Sequence, residues 1–317
     1  MTDLLLSDSG GPRRWDLLAL GDPCADLVVA AEEPPRSGEK VLGRSLGVFA
    51  GGAETNVACA ASRLGRRSAV YGRVGADAHG ILLRESLQRF GVDTEFLTVE
   101  PEIACVSVIV IVTRAGERAI IYVPMPPRLH QLDVLTSAVR QSRIAYLMPY
   151  SVDELTLVSR VARENDVLVA IDIEAAVAPN PAEMSKRIAL ADIVFFNESG
   201  FAAGTGEVPT QASMTRLLSA GPRIVVVTRG AAGAAAVDDS GFAEHQAFDG
   251  PVVDTTGAGD TFNAAFLAAT LEGQNLPSAV RFGCAAASCT VAAVGARGNL
   301  PDRQTVTTII TCADEPR

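Results

Sequence analysis

A short glycine-rich segment followed by an aspartate offers the clearest chemistry in this sequence. It reads DTTGAGDTFNAAF over residues 254–266, and from Thr261 its apolar residues return at helical spacing. We therefore expect a helix to begin at Gly257–Asp260, where the first backbone amides have no partner within the helix. Unhindered amides at the positive end of a helix dipole attract an anion, such as a phosphoryl group in transfer.

Asp260 would lie beside an anion bound at these amides. The helix terminus favours the ionised carboxylate, which could accept a proton from an attacking hydroxyl group. We predict that Asp260 is a catalytic base and that the amides of Gly257, Ala258 and Gly259 stabilise the developing charge. A first-turn aspartate and a GAG turn are each common in proteins, so the fragment GAGD alone carries little weight.

Apolar runs of strand length alternate with helical segments along most of the chain. The predicted strands are 15–21, 68–75, 143–148, 167–172, 192–197 and 223–228, and the predicted helices are 54–65, 79–91, 153–164, 181–190 and 209–220. Repeated strand-then-helix order predicts an α/β fold in which helices cover both faces of a mostly parallel sheet.

Two parts of the chain interrupt this alternation. Residues 28–49 contain strand-like pieces around a turn-rich segment, and residues 103–124 have the alternating β-branched pattern of a long hairpin. We predict that together they form a small β-sheet lid inserted into one domain that spans residues 15–312. Residues 1–14 are predicted to be a flexible tail, and another hairpin is expected at 233–248.

The composition argues against several classes of function. The 317-residue chain carries a formal net charge of −10 and has no basic run, which disfavours a nucleic-acid partner. No apolar run is long enough to cross a bilayer, so we expect no membrane partner. Six cysteines without a CxxC pair and three scattered histidines predict reduced thiols in a cytoplasmic protein and no zinc site.

Two other nucleotide-dependent classes lack their defining strings. A dinucleotide-binding Rossmann domain needs G-x-G-x-x-G after the first strand, where this chain has GDPCAD at 21–26. The P-loop string GxxxxGK[ST] does not occur in the sequence. Neither class is therefore expected.

The whole string at 254–266, placed after an apolar strand, resembles the second signature of the ribokinase-like (pfkB) carbohydrate kinase family. Five further segments resemble motifs of that family in the same order, namely GDPCAD (21–26), AGGAETNVA (50–58), VGADAHG (74–80), VTRGAAG (227–233) and VGARGNLP (294–301). The resemblance covers nearly the whole chain. It implies a three-layer α/β/α sandwich with a mostly parallel central sheet and a small β-sheet lid.

The resemblance also implies roles for the matched residues. Substrate binding would fall to Asp26, Gly51, Gly52 and Asn56. Nucleotide binding would fall to Asn197, Thr228, Gly230, Gly233, Gly259 and Cys284. The implied cofactors are ATP and Mg²⁺, and a K⁺ ion would lie at Asp254, Thr256 and Asn299.

The chain departs from the family pattern at two places. Members often carry N-x-x-E near the phosphates, and here Asn197 matches but Gly200 stands where the glutamate would be. Glu198, or the strand-end pair Asp172 and Glu174, could hold magnesium waters instead. After the second lid strand, Arg128 could reach an anionic group of the substrate, although a solvated loop arginine is the interpretation we favour.

These observations predict ATP-dependent phosphorylation of a primary hydroxyl group of a small sugar or sugar-like alcohol. The sequence leans slightly towards a ketose such as fructose, and leaves ribose or a keto-deoxy sugar acid open. Because the family glutamate is missing, a catalytically weak or silent sugar- or nucleotide-binding regulator is an alternative, as is a nucleoside kinase. The exposed edge of the lid could pair with a second copy of the chain to form a homodimer.

Overall fold

The computed structural model of the protein describes residues 13–114 and 117–314. The strands are β1 (Trp15–Leu20), β2 (Cys24–Ala31), β3 (Gly43–Gly51), β4 (Ser68–Gly75), β5 (Asp93–Glu100), β6 (Val106–Val112), β7 (Arg118–Val123), β8 (Ser142–Leu147), β9 (Leu168–Ile173), β10 (Ile193–Asn197), β11 (Ile224–Thr228), β12 (Ala234–Asp238) and β13 (Gly241–His245). The helices are α1 (Ala53–Arg63), α2 (Ala78–Arg89), α3 (Leu132–Arg140), α4 (Val152–Glu164), α5 (Pro181–Ile188), α6 (Glu198–Thr205), α7 (Gln211–Leu218), α8 (Ala258–Leu271), α9 (Leu276–Thr290) and α10 (Arg303–Asp314).

The larger sheet has nine strands in the order β13-β12-β11-β10-β9-β8-β1-β4-β5. Every neighbouring pair from β11 to β5 is parallel, and the hairpin β12–β13 adds two antiparallel strands at one edge. Because parallel strands point the same way, the loops after their carboxyl ends meet at one edge of the sheet. That edge is where the predicted site residues should gather.

Both faces of this sheet are buried, as its near-continuous apolar strands require. All six residues of β1 are buried, and Leu17 packs in the core cluster on one face while Leu18 packs in the cluster on the other. Helices α1, α8 and α9 contribute to the first cluster, and α3, α4 and α5 contribute to the second. The fold is thus the expected α/β/α sandwich.

The smaller sheet is the lid, with strand order β3-β2-β6-β7. It contains two antiparallel pairs joined by the parallel pair β2–β6, so it is a mixed sheet. Its outer strand β7 exposes Ile120, Ile121 and Tyr122 to solvent. The string GRSLG at 43–47, which matches the GxSxG spacing of serine hydrolases, lies inside β3 and lacks the strand-to-helix turn that such a nucleophile needs.

The predicted strands and helices of the large sheet are all present, and β4 has the predicted bounds of 68–75. The edge strand β5 and the short helix α3 were not predicted. The predicted domain end at residue 312 falls inside α10, which continues to Asp314, where Arg281 pairs with the aspartate at 2.5 Å.

Most of the predicted N-terminal tail, residues 1–12, lies outside the described residues. Arg13 and Arg14, its last two residues, contact the folded domain. The Arg13 guanidinium donates to the carbonyl oxygen of Asn165 at 2.7 Å, and Arg14 pairs with Asp93 at 2.8 Å. These contacts connect the segment before β1 to the end of α4 and to β5.

The six cysteines are unpaired, and all except Cys312 are buried, as predicted. Within the described ranges, no group of three or more His, Cys, Asp or Glu side chains could hold a metal ion. No described helix has the length and apolarity that crossing a membrane requires.

Candidate active site

Helix α8 begins where the sequence predicts, against the loop that precedes α10. Gly257 is the residue before its first turn and has φ 78°, a left-handed conformation that favours glycine. A Cβ atom at Gly257 would lie 2.6 Å from Cα of Ala296, so only glycine allows this approach. Gly259 is exposed, which leaves the first-turn amides open to a ligand.

The side chain of Asp260 is held by a residue from a distant part of the chain. Oδ2 of Asp260 accepts a hydrogen bond from Nδ2 of Asn56 at 2.8 Å. Nε of Arg297 donates to Oδ1 of Asn56, also at 2.8 Å. Because a guanidinium group can only donate, it fixes the amide so that the nitrogen faces Asp260. The structure thus brings predicted substrate and catalytic residues together.

Arg297 makes three further contacts that join separate elements. Its terminal nitrogens donate to the carbonyl oxygen of Gly51 at 2.9 Å, to Oγ1 of Thr55 at 2.7 Å and to Oγ of Ser86 at 3.0 Å. These partners belong to the base of the lid, to α1 and to α2. Arg297 therefore ties the lid base to the helices that carry Asn56 and Ser86.

Burial raises the pKa of Asp260 to about 6, and the carboxylates of Glu174 and Asp26 contribute to the rise. The hydrogen bond from Asn56 and the positive charge of Arg297 act in the opposite direction. A base with a pKa near 6 is ionised at neutral pH and still accepts a proton readily.

Asp26 lies on β2 at the base of the lid, and its carboxylate covers Gly51 on the neighbouring strand. A Cβ atom at Gly51 would overlap Oδ2 of Asp26, so a larger residue there would displace this carboxylate. Burial raises the pKa of Asp26, whereas Cys24 and Arg297 lower it. Gly52 follows with φ 98° and precedes the first turn of α1. The four predicted substrate residues thus lie in one continuous region with Arg297.

A buried polar cluster lies one turn along α8 from Asp260. Nδ2 of Asn263 donates to Oδ2 of Asp172 at 2.9 Å and to the hydroxyl oxygen of Tyr146 at 3.1 Å. Burial raises the pKa of Asp172 to about 7, and the charges of Glu174 and Asp260 add to the rise. The cluster thus contains a second carboxylate, that of Asp172, which interacts electrostatically with Asp260.

The predicted nucleotide loop is built mainly from backbone. Thr228 ends β11, and Gly230 and Gly233 both have positive φ, at 54° and 82°. A Cβ atom at Gly233 would overlap the carbonyl oxygen of His245 on β13. The amide of Arg229 donates to the carbonyl oxygen of Gly233 at 2.7 Å and closes the turn.

Two further predicted nucleotide residues, Asn197 at the end of β10 and Cys284 on α9, lie near this loop. Asn197 ends β10, next to Thr228 on β11, and its Oδ1 accepts from the amide of Gly200 at 2.7 Å. Cys284 is buried between α9 and β13, with Sγ 3.6 Å from the carbonyl oxygen of His245. Its thiol therefore faces the protein interior, and its predicted contact with a nucleotide stays a prediction.

Gly200 stands where the family pattern often has a glutamate, and the surrounding packing leaves no room for a side chain. A Cβ atom there would overlap the carbonyl oxygen of Ile173 at the end of β9 and would lie 3.0 Å from Cα of Glu174. Nearby carboxylates at the ends of β9 and β10 are Asp172, Glu174 and the exposed Glu198. Burial raises the pKa of Asp172, and the charge of Glu174 raises it further. Such a pair fits a hydrated Mg²⁺ ion, which keeps several waters and needs only one or two carboxylates.

The predicted potassium residues lie in two contacting loops. Oδ1 of Asp254 accepts from Oγ1 of Thr256 at 2.7 Å, and Oδ2 accepts from the amide of Gly295 at 2.9 Å. Asn299 donates from Nδ2 to the carbonyl oxygen of Cys289 at 2.8 Å. These bonds connect the segment before α8 with the loop that carries Arg297.

The expectation that Arg128 is a solvated loop arginine is wrong. Its side chain is only 12% exposed, pairs with Asp22 and stacks over the ring of Tyr71, with Cζ 4.8 Å from the ring centroid. Arg73 pairs with the other oxygen of Asp22 at 2.8 Å. The two arginines fix the proline-rich segment after β7 to the end of the sheet.

Sequence reasoning missed Arg297 and Glu54, although both belong to quoted motifs. The signal for Arg297 was a lone cation in the segment VGARGNLP. The signal for Glu54 was a carboxylate in the first turn of an otherwise apolar helix. Neither position has a spacing pattern that distinguishes it from an ordinary surface charge.

A comparison with known protein families finds that the family described as pfkB family carbohydrate kinase matches residues 16–303. A ribokinase of Bacillus subtilis is 30% identical over 302 residues, covering 92% of this chain and 98% of the relative. A nucleoside kinase of Methanothermobacter thermautotrophicus is 27% identical over 290 residues, covering 90% of this chain and 93% of the relative.

The solved structure of Arabidopsis thaliana ribokinase complexed with ribose and ATP has the same fold. It superposes with a TM-score of 0.84 at 27% sequence identity and covers 93% of this chain and 98% of that chain. The likeness includes both the large, mostly parallel sheet and the smaller lid sheet.

Proposed function

Because the chain belongs to the pfkB family of carbohydrate kinases, we propose that it transfers the γ-phosphoryl group of ATP to a primary hydroxyl group of a small sugar or sugar-like alcohol. The observation that carries this proposal is the series of hydrogen bonds from Arg297 through Asn56 to Asp260. It holds a carboxylate beside the first-turn amides of α8, where a base and an anion site must meet for phosphoryl transfer.

The acceptor binds beneath the lid, with its hydroxyl groups bonded to Asp26, Gly52 and Asn56. Asp260 accepts the proton of the attacking primary hydroxyl group, whose oxygen then bonds to the γ-phosphorus as the bond to the ADP oxygen breaks. The amides of Gly257 to Asp260 stabilise the charge on the transferring group. Closure of the lid excludes water and so limits hydrolysis of ATP.

ATP binds along the loop from Thr228 to Gly233, next to Asn197. Mg²⁺, when bound, would offset the charge of the phosphates. Asp172 and Glu174 would hold that ion through its waters, since Gly200 offers no carboxylate. A K⁺ ion at Asp254, Thr256 and Asn299 would brace the start of α8.

The acceptor we favour is a ketose such as fructose, and ribose is the main alternative. Ribose has the support of the Bacillus subtilis and Arabidopsis thaliana ribokinases to which the chain is similar. The relative described as a nucleoside kinase makes a nucleoside a further candidate.

A second candidate function is a sugar- or nucleotide-binding regulator without catalysis. The feature that favours it is Gly200, which removes a carboxylate from the phosphate side of the cleft. The feature against it is Asp260, because a protein that only binds has no need for a positioned base.

The lid also supports a homodimer in the cytoplasm. Strand β7 is at an edge of the lid sheet, and Ile120, Ile121, Tyr122 and Val123 are each between 46% and 63% exposed. Pairing with the lid of a second copy would cover this apolar edge. The buried, unpaired thiols fit a reducing compartment. A monomeric mass by light scattering would remove the dimer from the proposal.

The experiment that tests the kinase proposal is ADP release from ATP and Mg²⁺ across ketoses, aldoses, sugar acids and nucleosides. Wild-type protein is compared with Asp260→Asn, which keeps the size of the side chain and removes the base. We expect turnover on one acceptor class and a loss of about 10²–10⁴ in kcat for the variant.

Two outcomes would contradict this proposal. Full turnover by Asp260→Asn would remove the assignment of Asp260 as base. Binding of an acceptor and ATP by calorimetry, with no ADP released beyond hydrolysis, would support the regulator instead.

A further inference from the structure

In the described ranges, the chain crosses between the large sheet and the lid four times, and we number these crossings in chain order. Crossing 1 is residues 21–23, crossing 2 is Gly52, crossing 3 is 101–105 and crossing 4 is 124–131. Hydrogen-bonded ladders hold the strands on either side, so a movement of the lid must be taken up by the backbone angles of the crossings. Contacts at the crossings therefore decide where the lid can lie above the cleft.

Asp22, in crossing 1, is hydrogen-bonded to both the large sheet and crossing 4. Its Oδ1 accepts from the backbone amide of Arg73 on β4, and its Oδ2 accepts from Nη2 of Arg73, both at 2.8 Å. Nη2 of Arg128, in crossing 4, pairs with Oδ1. Nη2 of Arg73 also donates to the carbonyl oxygen of Pro126 at 2.8 Å. This group, which we call the Asp22 cluster (Asp22, Arg73 and Arg128), thus connects the entry of the lid, its exit and the sheet.

The two arginines of the Asp22 cluster compete for one carboxylate. Both oxygens of Asp22 already accept from Arg73, and Nε of Arg128 is buried with no hydrogen-bond partner among the described residues. A guanidinium group has only donors, and a buried donor without a partner is unfavourable. A small displacement of crossing 4 can therefore exchange a donor of one arginine for a donor of the other at Asp22.

Crossings 2 and 3 are held to the large domain by contacts of their own. Next to crossing 2, Arg297 donates to the carbonyl oxygen of Gly51 at 2.9 Å. At crossing 3, the amide of Cys105 donates to Oδ2 of Asp77, the residue before α2, at 3.0 Å. Each of these contacts fixes one crossing, whereas the Asp22 cluster joins two.

Asp22 lies beside the acceptor side of the cleft. A Cβ atom at Gly52 would lie 3.3 Å from the carbonyl oxygen of Asp22. A Cβ atom at Gly21 would lie 2.5 Å from Cδ of Glu54, whose Oε1 accepts from the amide of Met148 after β8 at 3.2 Å. The carboxylate of Asp22 is occupied by the two arginines, so it would act on the acceptor through the lid and not directly.

We infer that Asp22 is a positioning residue: by holding Arg73 and Arg128 together it sets the position of the lid over the acceptor, and exchange between the two arginines lets the lid close. The inference rests on the proposed kinase function and goes beyond it, because it assigns lid closure to a charge cluster outside the reacting groups. With a weakened cluster the cleft would admit water, which would compete with the acceptor hydroxyl group for the γ-phosphoryl group.

The test compares wild-type protein with Asp22→Asn and Arg128→Met. Asp22→Asn keeps an oxygen that can accept from the Arg73 amide but cannot balance two guanidinium groups. Arg128→Met releases crossing 4 and leaves the buried pair of Asp22 and Arg73 intact, so it is the milder variant if Asp22→Asn folds poorly. Arg114→Met is the matched control, because Arg114 is an exposed lid arginine that pairs with Glu32 at 3.4 Å.

Four quantities are measured with D-fructose and D-ribose as acceptors: kcat, KM for the acceptor, KM for ATP, and ATP hydrolysis without acceptor. For both test variants we expect kcat/KM for the acceptor to fall about tenfold or more, since hinge substitutions change kcat and KM together. The ratio of hydrolysis to transfer should rise about tenfold, and KM for ATP should stay within about twofold of the wild-type value. The control should match the wild type.

Hydrogen exchange of the ligand-free proteins tests the cluster without reference to turnover. We expect faster exchange at the amides of β7 and of crossing 4 in both test variants, with unchanged exchange at β1. If wild-type protein transfers no phosphoryl group to either sugar, the kinase proposal fails, and the exchange data still report whether the cluster holds the lid.

A purely structural role for Asp22 would overturn the inference. It would lower kcat in proportion to the folded fraction and leave KM for the acceptor and the ratio of hydrolysis to transfer unchanged. Exchange in β7 and crossing 4 at the wild-type rate in both test variants would also overturn it, as would an equal effect of Arg114→Met.

Discussion

The two sides of the cleft differ in the groups that they offer to a ligand: one offers side chains and the other offers backbone. The acceptor side, defined by Asp26, Glu54, Asn56 and Arg297, presents charged and polar side chains, two of which, Asn56 and Arg297, are hydrogen-bonded to each other. The nucleotide side, defined by Thr228, Gly230 and Gly233, consists of a backbone turn with two positive φ angles. Under the proposed function, side chains would therefore select the acceptor, whereas the shape of the backbone turn would bind the nucleotide.

We therefore expect substitutions on the two sides of the cleft to affect different properties of the protein. A lost side chain on the acceptor side should alter acceptor kinetics and pH dependence, and leave ATP binding nearly unchanged. A side chain added to the nucleotide turn should alter ATP binding and the stability of the fold.

Replacement of Arg297 should have the largest effect among these. Arg297→Met removes the donor that orients Asn56 and the charge that lowers the pKa of Asp260. We expect kcat/KM for the acceptor to fall about 10²-fold, since each 1.36 kcal/mol of lost transition-state stabilisation is a factor of ten. The acid limb of the pH profile should also move to higher pH. Steady-state kinetics from pH 5 to 9 measures both.

Arg89→Met is the control for that variant, because Arg89 is an exposed arginine of α2. A simple loss of stability would lower activity at every pH and leave the acid limb in place. An equal rise in KM for ATP and for the acceptor would break the separation between the two sides.

The pH dependence of the wild type follows from Asp260. Its pKa is raised to about 6, so the base is ionised above that value and protonated below it. We expect kcat/KM to fall about tenfold per pH unit below pH 6. The residual activity of Asp260→Asn should lack this limb. A wild-type profile that stayed flat down to pH 4.5 would contradict the assignment of the base.

On the nucleotide side, Gly233→Ala should weaken ATP binding and lower the melting temperature. The added Cβ atom would overlap the carbonyl oxygen of His245, and φ 82° is strained for alanine at a cost of about 1–3 kcal/mol. We expect KM for ATP to rise several-fold, with acceptor binding preserved. Gly230→Ala is the matched control, because its φ is also positive but no atom lies within 4 Å of the added Cβ.

The smallest expected effect is on stability, at Glu54. Burial raises its folded pKa to about 8 from 4.5, so the folded state loses stability relative to the unfolded chain as pH rises through that interval. Glu54→Gln removes this loss. Its melting temperature without ligand should therefore exceed that of the wild type by about 2 °C or more at pH 9, with no gain at pH 4.5. Differential scanning calorimetry at the two pH values measures it.

The glycine-built parts of the fold could be predicted from sequence because their requirement is local. Gly257 and Gly233 need a positive φ and a close neighbour, and each belongs to a short string with a fixed spacing. The buried strands were predictable for the same reason, since uninterrupted apolar runs leave few alternatives. The edge strand β5, DTEFLTVE, mixes polar and apolar residues at the rim of the sheet and has no such run.

The contacts of the acceptor side could not be predicted because they join distant positions. Asn56 and Arg297 are 241 residues apart, and no spacing within either motif indicates that they meet. The position of Glu54 depends on two strand ends and on the absence of a side chain at Gly21. Arg128 illustrates the same limit, since only the fold shows that it pairs with Asp22.

Gly200 limits which substitutions the chain can tolerate at this end of the sheet. A side chain can be added there only if the end of β9 moves, because a Cβ atom would overlap the carbonyl oxygen of Ile173. A glutamate introduced at residue 200 would therefore need a compensating change at Ile173 or Glu174. A protein engineer who wants another carboxylate near the phosphates would have to place it at a different position.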